Sequence, residues 1–200
     1  MYGDELADVV VPISLAISGT QLTRELSGYK YNGSPTVRKE FAHNLASALA
    51  TFLASHERCL AATAGVERFD LVTIAPGTRQ RNGQHPLAVI LGKTVMRTSG
   101  RFVEVMSATG GNDHRTVRPE SVTVHADVSG RHILLVDDTW TSGASLQSAA
   151  ITLERARAGR VAGLVIGRRL DADDASAAGV LRFARDHQFG WDVCVLCGTA

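Results

Sequence analysis

Lysine is scarce in this chain of 200 residues: of its 21 basic residues only Lys30, Lys39 and Lys93 are lysines, and the rest are arginines. Arginine suits planar, bidentate contact with phosphate where several converge, but the excess reads first as compositional bias. Cysteine is rarer still. Cys59, Cys194 and Cys197 are too few and too scattered for a disulfide framework, which sets the expectation of a reduced, cytoplasmic setting. Long hydrophobic runs are missing: the apolar stretch at residues 9–17 is short and holds Pro12, so it cannot span a bilayer. The first residues, Met1, Tyr2, Gly3, Asp4, Glu5 and Leu6, are acidic where a signal peptide would be basic. Charge of one sign is not in excess either. A net charge of +1 supplies no bulk drive toward nucleic acid or a membrane surface, so neither partner is expected. No repeat and no low-complexity segment occurs, and the length fits one ordinary α/β domain or a domain with a small appendage.

What is present alternates between two periodicities. Residues 1–33 mix short apolar runs with turn residues, Ser18-Gly19 and Asn32-Gly33 among them, and read as a few short strands or a small irregular hood. The remainder, 34–200, reads as a single core domain. It opens on Pro35 with Ser34 as N-cap, and Phe41, Leu45, Leu49, Phe52 and Leu53 follow at helical spacing. Residues 69–75 form a buried-strand pattern ended by Pro76-Gly77. A helix is predicted over 85–97, a second strand over 102–106, and a long polar lid-like loop over 107–119. Residues 121–124 have the pattern of a strand paired with a neighbour. A third strand is predicted at 133–136 with a helix over 143–157 behind it, a fourth at 161–166, and a closing strand at 192–196. Continuous apolar strands alternating with helices predict an α/β fold, Rossmann-like, with a mostly parallel sheet flanked by helices.

The informative stretch is Ile133-Leu134-Leu135-Val136-Asp137-Asp138-Thr139-Trp140-Thr141-Ser142-Gly143-Ala144-Ser145. A buried strand delivers two carboxylates to its carboxyl end, where ligands bind in open α/β sheets. Ionised carboxylates only accept hydrogen bonds and so suit the two donors of a ribose diol. Thr141, Ser142, Gly143, Ala144 and Ser145 then open a helix. Gly143 permits close backbone approach, and the N–H groups and hydroxyls there suit a phosphate dianion. A diol site beside a monophosphate site describes a ribose 5-phosphate.

This stretch resembles the phosphoribosyl-pyrophosphate signature of type I phosphoribosyltransferases. The resemblance implies that fold, with Asp137 and Asp138 on the ribose hydroxyls and residues 141–145 on the 5′-phosphate. Leu26-Ser27-Gly28-Tyr29-Lys30-Tyr31-Asn32-Gly33, and Leu71-Val72-Thr73-Ile74-Ala75-Pro76 followed by Gly77-Thr78-Arg79-Gln80-Arg81-Asn82-Gly83-Gln84, are similar to the ComF-like, competence-associated branch. By that analogy Ala75, Pro76, Gly77, Thr78 and Arg79 contact the diphosphate, with Arg79 or Arg81 pairing a phosphate oxygen. The zinc-binding module that often begins such proteins is missing. The lid around Asn112-Asp113-His114-Arg115-Thr116-Val117-Arg118 matches only loosely, leaving Arg115 and Arg118 as lid candidates and the catalytic residues otherwise unassigned.

The resemblance implies a Mg2+-dependent enzyme of nucleotide metabolism that moves the phosphoribosyl group from phosphoribosyl pyrophosphate to a nitrogen acceptor of unread identity, and the family often forms homodimers. A non-catalytic phosphoribosyl-pyrophosphate-binding regulatory protein and a competence-associated accessory protein are the alternatives. No metal ligand is assigned on the protein. Cys194-Val195-Leu196-Cys197 has zinc-ligand spacing, but four ligands are needed and the sequence shows no second pair. On a strand the two thiols would also face opposite ways, so buried, inert cysteines are expected. Ordinary polar roles are expected for His114, His125 and His132, and a solvated loop for Asp171, Asp173 and Asp174.

Overall fold

The computed structural model describes residues 2–77, 84–109, 115–187 and 189–198. Four strands form one sheet: β1 (Val9–Ile17), β2 (Leu71–Ile74), β5 (His132–Trp140) and β6 (Arg160–Leu170), in the order β1-β6-β5-β2 with every pairing parallel. Parallel strands need covered faces, and both faces are covered. On one side lie α1 (Gln21–Tyr31), α2 (Pro35–Thr63) and residues 86–99, which bury Leu45, Leu49, Leu53, Leu87 and Leu91 against Leu134, Val136, Leu164 and Ile166. On the other lies α5 (Ala144–Arg155), whose Leu146, Ala149, Ala150 and Leu153 meet Ile133, Leu135, Val161 and Val165. The alternation of β5 is visible in that division, odd positions going to α5 and even ones to α2. The predicted α/β class with a parallel, helix-flanked sheet is what the chain forms. Among the described residues no helix is long and apolar enough to cross a membrane.

Several local expectations change. The hood expected over residues 1–33 does not stand apart from the core in its described part: Val9–Ile17 is an edge strand of the main sheet, paired along β6 from Val9↔Ala162 to Ile17↔Leu170. Pro12 is tolerated there because an edge strand has one side free of the ladder. The helix α1 was hidden by Gly28, a poor helix former. A Cβ at that position would lie 2.5 Å from Phe41 Cε2, so the glycine allows α1 and α2 to cross closely. The single helix expected over 85–97 is broken into α3 (Pro86–Val89), a wide turn at Ile90–Thr94, and α4 (Met96–Ser99). Val95 is extended at the break (φ −87°, ψ 101°), and buried Thr98 donates its hydroxyl to the Leu91 and Val95 carbonyls at 2.6 and 3.0 Å.

The strand expected over 102–106 reduces to a bridge between Phe102 and Val72, followed by β3 (Met106–Ala108), which pairs antiparallel with β4 (Val122–Val124) in a separate ribbon. The helix α6 (Ala178–Asp186) follows β6. No closing strand forms at 192–196; that segment is a turn in which Cys197 N–H and Gly198 N–H both reach the Cys194 carbonyl, at 3.2 and 2.9 Å.

Candidate functional site

The carboxyl edge of the sheet collects most of the predicted residues. β5 runs four residues past its paired segment with β2, which ends at Ile74↔Val136. Asp137 and Asp138 therefore stand at the lip of the sheet, and strand alternation sends them apart. Asp137 faces α5. With Thr139, Trp140, Ser142, Gly143 and Ser145 it lines a cavity of about 120 Å³ that Thr141, Ala144, Leu146 and Val165 complete. That is the space of about four waters at about 30 Å³ each, close to the tetrahedron of oxygens in one phosphoryl group.

Asp138 does not line this cavity. It is 4% exposed and faces α1, where Tyr29 donates its hydroxyl to the carboxylate and the Lys30 ammonium pairs with it. The two acids expected to share one ligand thus sit in different surroundings. Burial, followed by the neighbouring charge of Asp138, pushes the Asp137 carboxyl up from the usual 3.8 to about 7, while Lys30 opposes the shift.

Gly143 shapes the loop between strand and helix. Its φ of 80° is left-handed, which a side chain resists, and a Cβ there would come within 2.7 Å of Trp140 Nε1. The next residues open α5, and the first N–H groups of a helix have no intrahelical acceptor. Ala144 N–H turns to Ser142 Oγ at 3.3 Å. Thr141 and Ser142 are exposed, whereas Ala144 is buried. The Arg168 guanidinium lies 5.2 Å from the Trp140 ring centroid, at the strand end where Trp140 registers with Arg168. Sequence reasoning gave no role to Arg168, Tyr29 or Lys30. The signal for Arg168 was a cation at the carboxyl end of a predicted strand, next to the signature strand in the sheet.

The other predicted residues are placed as follows. Ala75 continues β2, donating its N–H to the Val136 carbonyl at 3.0 Å, and Gly77 lies against His85, so this turn occupies the same sheet edge without lining the cavity. Thr78 and Arg79 lie outside the described residues, as does Arg81. Of the lid, residues 110–114 lie outside them too. Arg115 and Arg118 are exposed, and the Arg118 backbone is tied to α5 by its N–H bond to Ser148 Oγ at 2.8 Å. Asp171 and Asp174 accept backbone N–H bonds from Asp173 and Ser176 at 3.1 and 2.8 Å in an exposed turn. His125 is exposed near the Glu104 carbonyl.

No family model matches the chain, and no curated protein matches it. Among solved structures it is similar to a phosphoribosyltransferase from Corynebacterium diphtheriae over 77% of this chain and 98% of that one, at 21% identity and a TM-score of 0.34, a distance at which the likeness assigns no residue a role.

Proposed function

We propose that the chain is a phosphoribosyltransferase, transferring the phosphoribosyl group of phosphoribosyl pyrophosphate to a nitrogen acceptor with release of pyrophosphate. One observation carries the reading: a carboxylate and a glycine-turned helix start enclose a single phosphoryl-sized cavity at the carboxyl end of a central parallel strand. Residues 141–145 hold the 5′-phosphate through backbone N–H groups and hydroxyls. Asp137 accepts from the ribose hydroxyls, and Arg168, stacked on Trp140, balances charge beside the cavity.

A hard cation fits this donor set, because Mg2+ keeps several waters and takes few carboxylates besides substrate oxygens. When bound it neutralises charge on the departing pyrophosphate. The chain's own residues position the ribose, stabilise positive charge on its ring through the Asp137 carboxylate, and exclude water. The nitrogen nucleophile attacks the face opposite the leaving group, and no side chain forms a covalent intermediate.

Calorimetry with phosphoribosyl pyrophosphate and magnesium tests the reading. Asp137→Asn should weaken donor binding by about 1.5–3 kcal/mol, tenfold or more, with circular dichroism unchanged. Unchanged affinity would sink the proposal. A second reading, a sensor that binds the donor without turnover, draws on Asp138 being held by Tyr29 and Lys30 rather than facing the cavity. Pyrophosphate release across a panel of nucleobases and amines separates the two: donor binding with no release from any acceptor favours the sensor.

A further inference from the structure

Three thiols and one imidazole meet on the α2 side of the sheet, in a place that shares no residue with the cavity. His56 and Cys59 lie three apart in α2, and Cys194 and Cys197 lie three apart in the turn of residues 193–198. Their Nδ1 and Sγ atoms all lie within 4.8 Å of one another. We propose that these four residues bind one zinc ion in a closed tetrahedral site.

The separations favour coordination over chance contact. Zinc–sulfur bonds of about 2.3 Å and zinc–nitrogen bonds of about 2.0–2.1 Å imply tetrahedral edges of about 3.8 Å between sulfurs and about 3.6 Å between sulfur and nitrogen. Cys194 Sγ lies 3.4 Å from Cys197 Sγ, Cys197 Sγ 3.7 Å from His56 Nδ1, and Cys59 Sγ 3.9 Å from the same nitrogen. A disulfide would draw the two sulfurs of the turn to about 2.05 Å, and all three cysteines are free.

The surroundings orient the ligands as well. His56 is buried, and its Nε2 lies 2.9 Å from the Trp191 carbonyl. Donation of Nε2–H to that carbonyl leaves the Nδ1 lone pair aimed at the three sulfurs, the arrangement by which outer partners fix a ligating histidine. Within the turn the Cys194 N–H points to Cys197 Sγ at 3.3 Å, a bond that supports a thiolate. The expectation that the two thiols would face opposite ways fails because residues 193–198 turn back on themselves instead of extending. The second ligand pair escaped notice because it stands 141 positions away, between His56 and Cys197, and is made of one histidine and one cysteine on a helix.

Three protein thiolates and an imidazole fill a tetrahedral zinc shell and leave no position for substrate, so the ion is structural. Its work is to clasp residues 189–198, which form neither helix nor strand, onto the C-terminal third of α2. Each thiol loses its proton to solvent as the ion enters.

The test is metal analysis of the purified full-length chain, with cobalt(II) as a spectroscopic stand-in. One zinc per chain should survive gel filtration, and cobalt should give the intense visible bands and sulfur-to-metal charge transfer of a tetrahedral thiolate site. Cys197→Ser removes an exposed ligand while leaving the core intact. It should weaken zinc binding by more than roughly a hundredfold, since loss of an outer-shell partner alone costs about 10- to 100-fold. A chelator should lower the melting temperature of the parent chain and leave that of Cys197→Ser unmoved. Zinc retention unchanged in Cys197→Ser would overturn the proposal. So would a chain that takes up neither metal, one that holds iron in place of zinc, or a Cys194–Cys197 disulfide found by mass spectrometry in protein purified under reductant.

Discussion

Asp137 carries an unfavourable charge at neutral pH. Burial, and then the Asp138 charge, push its carboxyl up to about 7 in the folded protein from an ordinary value of 3.8. Below 3.8 the group is protonated in both folded and unfolded chains. As pH rises toward about 7 the unfolded chain ionises first, so stability present at low pH is lost across that window. Asp137→Asn should therefore flatten the fall in stability between about pH 5 and about pH 8. Urea midpoints at the two pH values check this, and equal falls in parent and variant would refute it. Gly143 permits a second prediction at this scale. Alanine there meets both the left-handed backbone and the Trp140 indole, so Gly143→Ala should cost about 1–3 kcal/mol of stability, read from the same denaturation curves.

At the scale of elements, side-chain hydroxyls hold together backbone that has left regular structure. Ser148 of α5 is buried, accepts the Arg118 N–H and donates to the Ala144 carbonyl at 2.7 Å. Ser148→Ala should release the Arg118 amide and speed its hydrogen exchange, with a loss of about 1–3 kcal/mol; unchanged exchange at that amide would show that the tie is dispensable. Thr98 plays the matching part at the break before α4, and Thr98→Val should cost a similar amount by thermal or urea denaturation. These elements also show what the sequence could and could not disclose. The strands β2, β5 and β6 and the helices α2 and α5 were legible because burial imposes a clean period on them. The helix α1 was not, because Gly28 answers to Phe41 of another helix, and the break near Val95 was not, because Thr98 repairs it from outside the broken turns. At the site, the loop at residues 141–145 was readable from its residue types. The division of Asp137 from Asp138 follows from alternation, yet the partners of Asp138 could be found only by folding α1 onto the sheet.

Across the whole molecule, the sheet separates two places of distinct chemistry. Leu134, Val136 and Cys194 belong to the layer beneath α2, whereas Ile133, Leu135 and the cavity at the start of α5 belong to the other. Net charge of +1 adds no long-range attraction for polyanions. Duplex DNA should accordingly show no salt-sensitive binding in a filter or anisotropy assay. A steep dependence of affinity on salt would instead place a basic surface somewhere on the chain.

The protein carries just two tryptophans. The Trp140 ring lines the cavity beneath Arg168, while Trp191 lends its carbonyl to His56 and sets its ring edge-on to Phe189 at 4.9 Å. Each place therefore comes with its own fluorophore. In Trp191→Phe the remaining emission should respond to phosphate-bearing ligands and ignore cobalt, and in Trp140→Phe the responses should exchange, giving two optical channels in one unlabelled chain.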